Sequence, residues 1–175
     1  FTALSEGLAP GSLGEFLATY RQIVTAQIHR HHGIVDKFIG DSVMAVFGAP
    51  DATANDARNA IACGKAILGA IEQWNAERQE TGLSKVNVGI GIHSGEVFCG
   101  AVGDETRMEF TVLGDTVNVA ARLEHATKQL GYPLVASEAV LTEAGIDAAG
   151  QNEWKPLGSR EVRGRKEKLE VSGYL

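Results

Sequence analysis

The sequence predicts an α+β domain in which helices cover one face of a mainly antiparallel sheet. Two long segments, 12 to 30 and Asn55 to Arg78, keep a helical stripe. Short β-prone runs alternate or pair around glycine turns. The elements follow one another as α-β-β-α-β-β-α-β, an order that fits a two-layer sandwich.

The first helix carries Leu13, Phe16, Leu17, Tyr20, Ile23, Val24 and Ile28 on one side. It is expected to close at His31-His32-Gly33, with Gly33 as a left-handed cap. Ile34 to Ile39 and Ser42 to Phe47 flank Gly40-Asp41 and read as a hairpin with its tip at positions 40 and 41. The second helix buries Ala57, Ala60, Ile61, Gly64, Ile67, Leu68, Ile71 and Trp74.

Lys85 to His93 alternates, with Val86, Val88, Ile90 and Ile92 on one face and Asn87, Gly89, Gly91 and His93 on the other. The larger face is expected to meet a helix layer. The glycine face is expected to admit a ligand or a partner chain close to the backbone. A strand at about 96 to 102 is expected to pair with it across His93-Ser94-Gly95. Another strand, 108 to 113, leads to Gly114-Asp115, where Asp115 can cap a helix running to about Leu130. A short strand (Leu134 to Ala136), a short helix (Glu138 to Ala144) and strands at about 154 to 163 and 167 to 174 complete the chain. A strand ahead of the first helix would complete a ferredoxin-like βαββαβ core with a C-terminal extension. That strand is missing here and is expected upstream of Phe1, which makes residues 1–175 a single, N-terminally incomplete domain cut from a longer protein.

Composition narrows the function classes. Hydrophobic residues make up 44% of the 175, enough for a full-sized core. Sixteen basic against 22 acidic residues leave a net charge of −6, a poor balance for a general nucleic-acid binder. Only Cys63 and Cys99 occur, which suits a reduced, cytoplasmic setting better than a disulfide scaffold. No apolar run approaches the roughly 20 residues needed to cross a bilayer, and no signal peptide is visible.

Candidate chemistry sits in four places. Asp41, beside a glycine at a hairpin tip, presents a carboxylate suited to Mg²⁺; as an isolated Gly-Asp it is also ordinary turn chemistry. Lys37 shares a strand face with Ile39 and Asp41, either as an edge-protecting charge or as a donor to a ligand. Asn118 and Arg122, four residues apart on a helix fed by the strand that holds Thr111, can hold a sugar and a phosphate. The alternative there is a solvated face with Arg122 paired to Glu124 or Asp115. Arg163 to Lys168 is a basic cluster, a solvated turn or a lid over a polyphosphate. His29, His31 and His32 do not converge on one ion and read as cations at a helix end. His93 and Cys99 read as structural.

In this order and spacing, the segments Val35-Asp36-Lys37-Phe38-Ile39-Gly40-Asp41, Gly89 to Val97 and Gly114-Asp115-Thr116-Val117-Asn118-Val119-Ala120-Ala121-Arg122-Leu123-Glu124 resemble class III nucleotide cyclase catalytic domains. The opening Phe1-Thr2-Ala3-Leu4-Ser5-Glu6 is similar as well. The resemblance implies an adenylyl cyclase that converts ATP to 3′,5′-cyclic AMP and pyrophosphate in intracellular signalling. It implies that Asp41 is the second of two metal aspartates, the first lying upstream of Phe1, with two Mg²⁺ per site and Mn²⁺ as the alternative. Lys37 and Thr111 take the purine-selecting positions. Lysine only donates, which suits adenine N1 and opposes the N1–H of guanine. A threonine hydroxyl can accept from the 6-amino group but can also donate, so the ATP assignment rests mainly on Lys37.

The same resemblance implies that Asn118 positions the ribose and Arg122 stabilises the α-phosphate transition state. Arg165, or its neighbour Lys166, grips the terminal phosphates. Phe1 and Thr2 begin the phosphate-binding loop and helix N-terminus. It further implies a head-to-tail homodimer that completes each site, Asp41 coming from one subunit and Lys37, Thr111, Asn118, Arg122 and Arg165 from its partner. A regulatory domain is expected in the parent chain, and membrane contact by this domain is not. A guanylyl cyclase is disfavoured by Lys37, and the Gly-Gly-Asp/Glu-Glu-Phe signature of diguanylate cyclases is absent. A catalytically silent nucleotide-binding module is opposed by Lys37, Asp41, Asn118 and Arg122 occurring together.

Overall fold

The computed structural model describes residues 10–104, 106, 108–150, 152–160 and 168–175. Helix α1 (Pro10–Arg30) starts on a proline, whose missing N–H costs nothing at a first helical position. It buries Phe16, Val24 and Ile28. The helix ends in a Schellman turn, with the His32 N–H on the His29 carbonyl at 3.1 Å and the Gly33 N–H on that of Ile28 at 2.8 Å. The left-handed residue is His32 (φ 63°), not Gly33 as expected. Gly33 is needed for space instead: a Cβ there would stand 2.7 Å from the Phe47 ring.

Strands β1 (Ile34–Ile39) and β2 (Ser42–Val46) form the expected hairpin. Ile39 faces Ser42, so Gly40-Asp41 is a two-residue turn, and Gly40 has the positive φ (61°) that a type II′ turn requires at its first position. The ladder slips between Val35, opposite Ala45, and Lys37, opposite Met44, leaving Asp36 as the extra residue of a β-bulge.

Helix α2 (Asp56–Glu80) follows, close to its expected span. The alternating run after it shortens to β3 (Ile90–Ile92). Val86 leaves the ladder because the Asn75 side chain serves both of its backbone groups, accepting from its N–H at 2.7 Å and donating to its carbonyl at 2.8 Å. The expected hairpin across His93-Ser94-Gly95 does not form. Thr116 packs where a Gly95 side chain would be and donates to the Glu96 carbonyl at 2.8 Å, so this turn is pinned to the next helix. Strand β4 (Phe98–Gly103) pairs instead with β5 (Met108–Leu113).

Helix α3 (Asp115–Leu130) takes Asp115 as its first residue, with Gly114 at the cap position and no side-chain capping bond. The aspartate is therefore not the cap expected, though its charge still favours a helix start. Then come β6 (Leu134–Ser137), α4 (Glu138–Glu143, capped by the Ser137 hydroxyl), β7 (Trp154–Arg160) and β8 (Leu169–Tyr174). The ends of the two expected C-terminal strands run into 161–167, outside the described residues.

The larger sheet has the order β3-β6-β8-β7, with β3 parallel to β6 and the other pairs antiparallel. Helices lie on both of its faces, correcting the expectation of one. All four residues of β6 are buried. Leu134 and Ala136 join Ile61 of α2 and Val140 and Leu141 of α4 in one cluster, while Val135 joins Val119 and Leu123 of α3 in another. A strand buried on both sides requires a layer on each. The glycine face of β3 is filled by the chain itself. It receives α3, and a Cβ on Gly91 would stand 2.3 Å from the Ala120 carbonyl oxygen and the Glu124 nitrogen. A third cluster, with Val24, Ile28, Cys63, Ile67 and Ile71, carries both Val43 and Ala45 of β2 and Ile90 of β3. Among the described residues no ladder joins β2 to β3.

Candidate active site

The β-bulge has a chemical consequence. Consecutive strand residues normally point to opposite faces, yet Asp36 and Lys37 both reach β5, where Glu109 and Thr111 share a face. The Thr111 hydroxyl donates to Asp36 Oδ2 at 2.9 Å across 75 residues of sequence. Lys37 Nζ lies 3.6 Å from the same oxygen and 3.9 Å from Glu109 Oε2. The Asp36 side chain is 7% exposed and that of Lys37 35%, so the carboxylate is sunk and the ammonium partly open. The structure thus brings Lys37 and Thr111 to one carboxylate, Asp36, which the sequence did not single out.

Asp41 occupies the hairpin tip, half-buried. Its turn is held from outside the ladder: Arg21 of α1 donates to the Gly40 carbonyl at 2.7 Å while its guanidinium stacks 4.5 Å above the Phe38 ring. The Tyr20 hydroxyl is pushed above its ordinary range, first by burial and then by the Asp41 and Glu124 carboxylates. A carboxylate at an open turn fits a hard cation that keeps waters and phosphate oxygens among its ligands. No group of three or more metal-ligating side chains gathers among the described residues. The Asp41 carboxylate by itself would offer such an ion one ligand, not a complete cage.

On α3, Asn118 is exposed and Arg122 follows one turn later. Arg122 Nη1 is buried without a hydrogen-bond partner. Glu124, one candidate to neutralise it, meets His125 at 3.1 Å instead. An orphaned guanidinium N–H is a donor waiting for an acceptor, and a phosphate oxygen matches its geometry and charge. Phe1, Thr2, Arg165 and Lys166 lie outside the described residues. His31 Nδ1 contacts the Gln27 carbonyl at 2.9 Å and His93 Nδ1 the Ser137 hydroxyl at 2.7 Å, both structural links.

Ladder β4–β5 completes the picture. Phe98, Val102, Met108, Phe110 and Leu113 are all exposed, Phe110 by 66%. Apolar residues lie on both faces of this hairpin, an arrangement typical of an interaction surface.

Sequence reasoning missed Asp36, Glu109 and Arg21. An acidic residue beside Lys37 in an apolar run was a visible signal for Asp36; its inward turn depends on the bulge. Arg21 lay within an ordinary helical stripe and gave none.

Residues 1–174 match the family described as the adenylate and guanylate cyclase catalytic domain. The chain is 34% identical over 171 residues to adenylate cyclase 1 of Rhizobium meliloti (strain 1021), covering 98% of this chain and 25% of that protein. It is 39% identical over 147 residues to the adenylate cyclase of Anabaena cylindrica, covering 81% and 28%. The chain thus spans about a quarter of the length of these curated relatives. The crystal structure of the guanylyl cyclase Cya2 superposes with a TM-score of 0.86 at 32% identity, covering 99% of this chain and 85% of that one.

Proposed function

The chain belongs to the adenylate and guanylate cyclase catalytic-domain family, and within it we propose an adenylyl cyclase, making 3′,5′-cyclic AMP and pyrophosphate from ATP. The observation that carries this reading is Lys37 standing with Thr111 on one corner. Similarity to proteins named adenylate cyclase agrees with it. Overall fold does not discriminate, since a guanylyl cyclase superposes on nearly the whole chain.

In the proposed reaction the ribose 3′-oxygen attacks the α-phosphorus. A new O3′–P bond forms, the bond to the bridging oxygen breaks with its electron pair leaving on pyrophosphate, and the hydroxyl proton passes to solvent. Lys37 donates to adenine N1 and Thr111 accepts from the 6-amino group. Asn118 orients the ribose. Arg122, with its unsatisfied Nη1, holds the charge that grows on the α-phosphate oxygens. Arg165 or Lys166 grips the terminal phosphates, with backbone groups at Phe1 and Thr2. Asp41 holds the metal. Bound Mg²⁺ or Mn²⁺, two per site, supplies a lowered hydroxyl pKa and a counter-charge for the leaving polyphosphate.

The exposed β4–β5 hairpin supports a head-to-tail homodimer in which Asp41 of one subunit works with Lys37, Thr111, Asn118, Arg122 and Arg165 of the other. No helix among the described residues is long and apolar enough to cross a membrane. A cytoplasmic location and regulation by a further domain of the parent chain belong to the same reading.

The test is an assay of the protein in its full natural length with ATP and GTP and either metal. ATP should give cyclic AMP, with specific activity rising as dilute protein is concentrated. Asp41→Ala and Arg122→Ala should each cut the rate by about 100-fold or more, the usual scale for lost transition-state electrostatics. Lys37→Glu should shift preference towards GTP. Nucleotide binding without any cyclic product from either nucleotide would overturn the catalytic reading in favour of a silent nucleotide-binding module.

A further inference from the structure

We infer that Asp36 is a specificity-determining positioning residue, fixing the Thr111 hydroxyl as an acceptor towards the purine edge so that the site takes a 6-amino purine and refuses a 6-oxo one. The inference rests on the proposed reading of Lys37 and Thr111 as purine contacts.

A hydroxyl has one proton and two acceptor lone pairs, and its rotor turns to suit its partners. Alone, Thr111 would serve adenine and guanine equally, accepting from a 6-amino group or donating to a 6-oxo oxygen. Here the proton is committed to Asp36 Oδ2 at 2.9 Å. A carboxylate only accepts, so this bond cannot reverse. What Thr111 can still offer is a lone pair. The adenine 6-amino group meets it with a donor, and guanine O6 meets it with another lone pair.

Burial makes the arrangement firm. Thr111 is 5% exposed and the Asp36 side chain 7%, so little water is available to replace the bond if it turns away. The same carboxylate oxygen draws Lys37 Nζ to 3.6 Å. One acid therefore sets both purine contacts, orienting the cation that donates and holding the hydroxyl that accepts. The bulge makes this possible, because in a regular strand Asp36 would turn away from the face that Lys37 occupies.

The experiment measures binding and turnover of ATP, GTP and purine riboside triphosphate by the protein in its full natural length. The last probe keeps the N1 acceptor and lacks the 6-amino donor, which separates Thr111 from Lys37. The unsubstituted protein should bind it about tenfold more weakly than ATP, the upper range for one net hydrogen bond. In Asp36→Asn the carboxamide can donate to the Thr111 oxygen and release its proton. The ATP-over-GTP ratio should then fall by about tenfold, through gain for GTP as well as loss for ATP, and the purine riboside penalty should shrink. On a Thr111→Val background Asp36→Asn should move the ratio much less, since only its hold on Lys37 is left to act.

A purely structural acid would lower all turnover and leave these ratios intact. Asp36→Asn with an unchanged ATP-over-GTP ratio would overturn the inference, as would equal binding of ATP and purine riboside triphosphate by the unsubstituted protein. The latter decides the matter even if Asp36→Asn fails to fold. Absence of any cyclic product would count against the proposed reaction, while the binding ratios would still decide the role of Asp36.

Discussion

Strand β6 and ladder β4–β5 are similarly apolar and treated oppositely by the fold. Every residue of β6 is buried, Leu134, Val135 and Ala136 being fully inaccessible between α2 and α4 on one side and α3 on the other. On β4–β5, Phe98, Met108 and Phe110 are all more than half exposed. The chain completes the first environment by itself. The second is what a surface looks like when its cover comes from another molecule. Substitutions in β6 should therefore be read as stability, and those in β4–β5 as association and activity.

The largest effect separates the two regions. Phe110→Asp should leave the melting temperature nearly unchanged. It should weaken self-association by about 30-fold or more, the scale of an interface hot spot, and lower activity in step at micromolar protein. Equilibrium sedimentation beside an activity titration checks both. An unchanged dimer would break the comparison, leaving the exposed apolar face without the assigned partner.

Leu134→Ala makes the converse case. It should cost about 2–5 kcal/mol in denaturant unfolding, because the flanking helices cannot collapse fully into the space. Gly91→Ala should cost less, about 1–3 kcal/mol, by pressing α3 off β3 where its backbone is already in contact. Activity corrected for the folded fraction should survive Leu134→Ala better than Phe110→Asp.

The two cysteines give the smallest and sharpest contrast, since Cys63 is buried beneath α1 and Cys99 lies half-buried on β4. Burial pushes the Cys63 thiol up to about 11. At pH 8 a thiolate-selective reagent should modify Cys99 and spare Cys63 until the protein unfolds. Stability should follow the same shift. With a folded pKa above the unfolded one, the native state holds its proton longer. The contribution is complete below about pH 9 and is lost as pH rises towards 11. Tyr20, raised in the same direction, adds to the alkaline loss. A melting temperature that climbed through this range would contradict both assignments.

Much of the fold was legible because period and turn chemistry act locally. The stripe of α1, the Gly40-Asp41 turn and the span of α2 needed no distant partner. Strand pairing did not follow, because β3 chooses β6, more than 40 residues later, over its neighbour β4. The uninterrupted run Leu134-Val135-Ala136 already signalled a strand buried on both faces and hence helices on both. In the site, Lys37 and Thr111 were named from resemblance, and both meet the Asp36 carboxylate. Asp36 was overlooked because alternation assigns it to the opposite face, and a bulge leaves little trace in a sequence. That Asn118 and Arg122 share a face follows from helical spacing alone, but the unpaired Nη1 of Arg122 is a tertiary fact that spacing does not give.

The bond from Arg21 to the Gly40 carbonyl joins α1 to a turn 19 residues further along the chain. The peptide next to Asp41 is thus anchored to a helix as well as to its own ladder. A small rotation or slide of α1 would pull on that carbonyl and so on the adjoining carboxylate, as well as on the other end of the hairpin, where Val24 and Ile28 pack against Val35, Val43 and Ala45. Anything that pulls on α1 has a lever on Asp41.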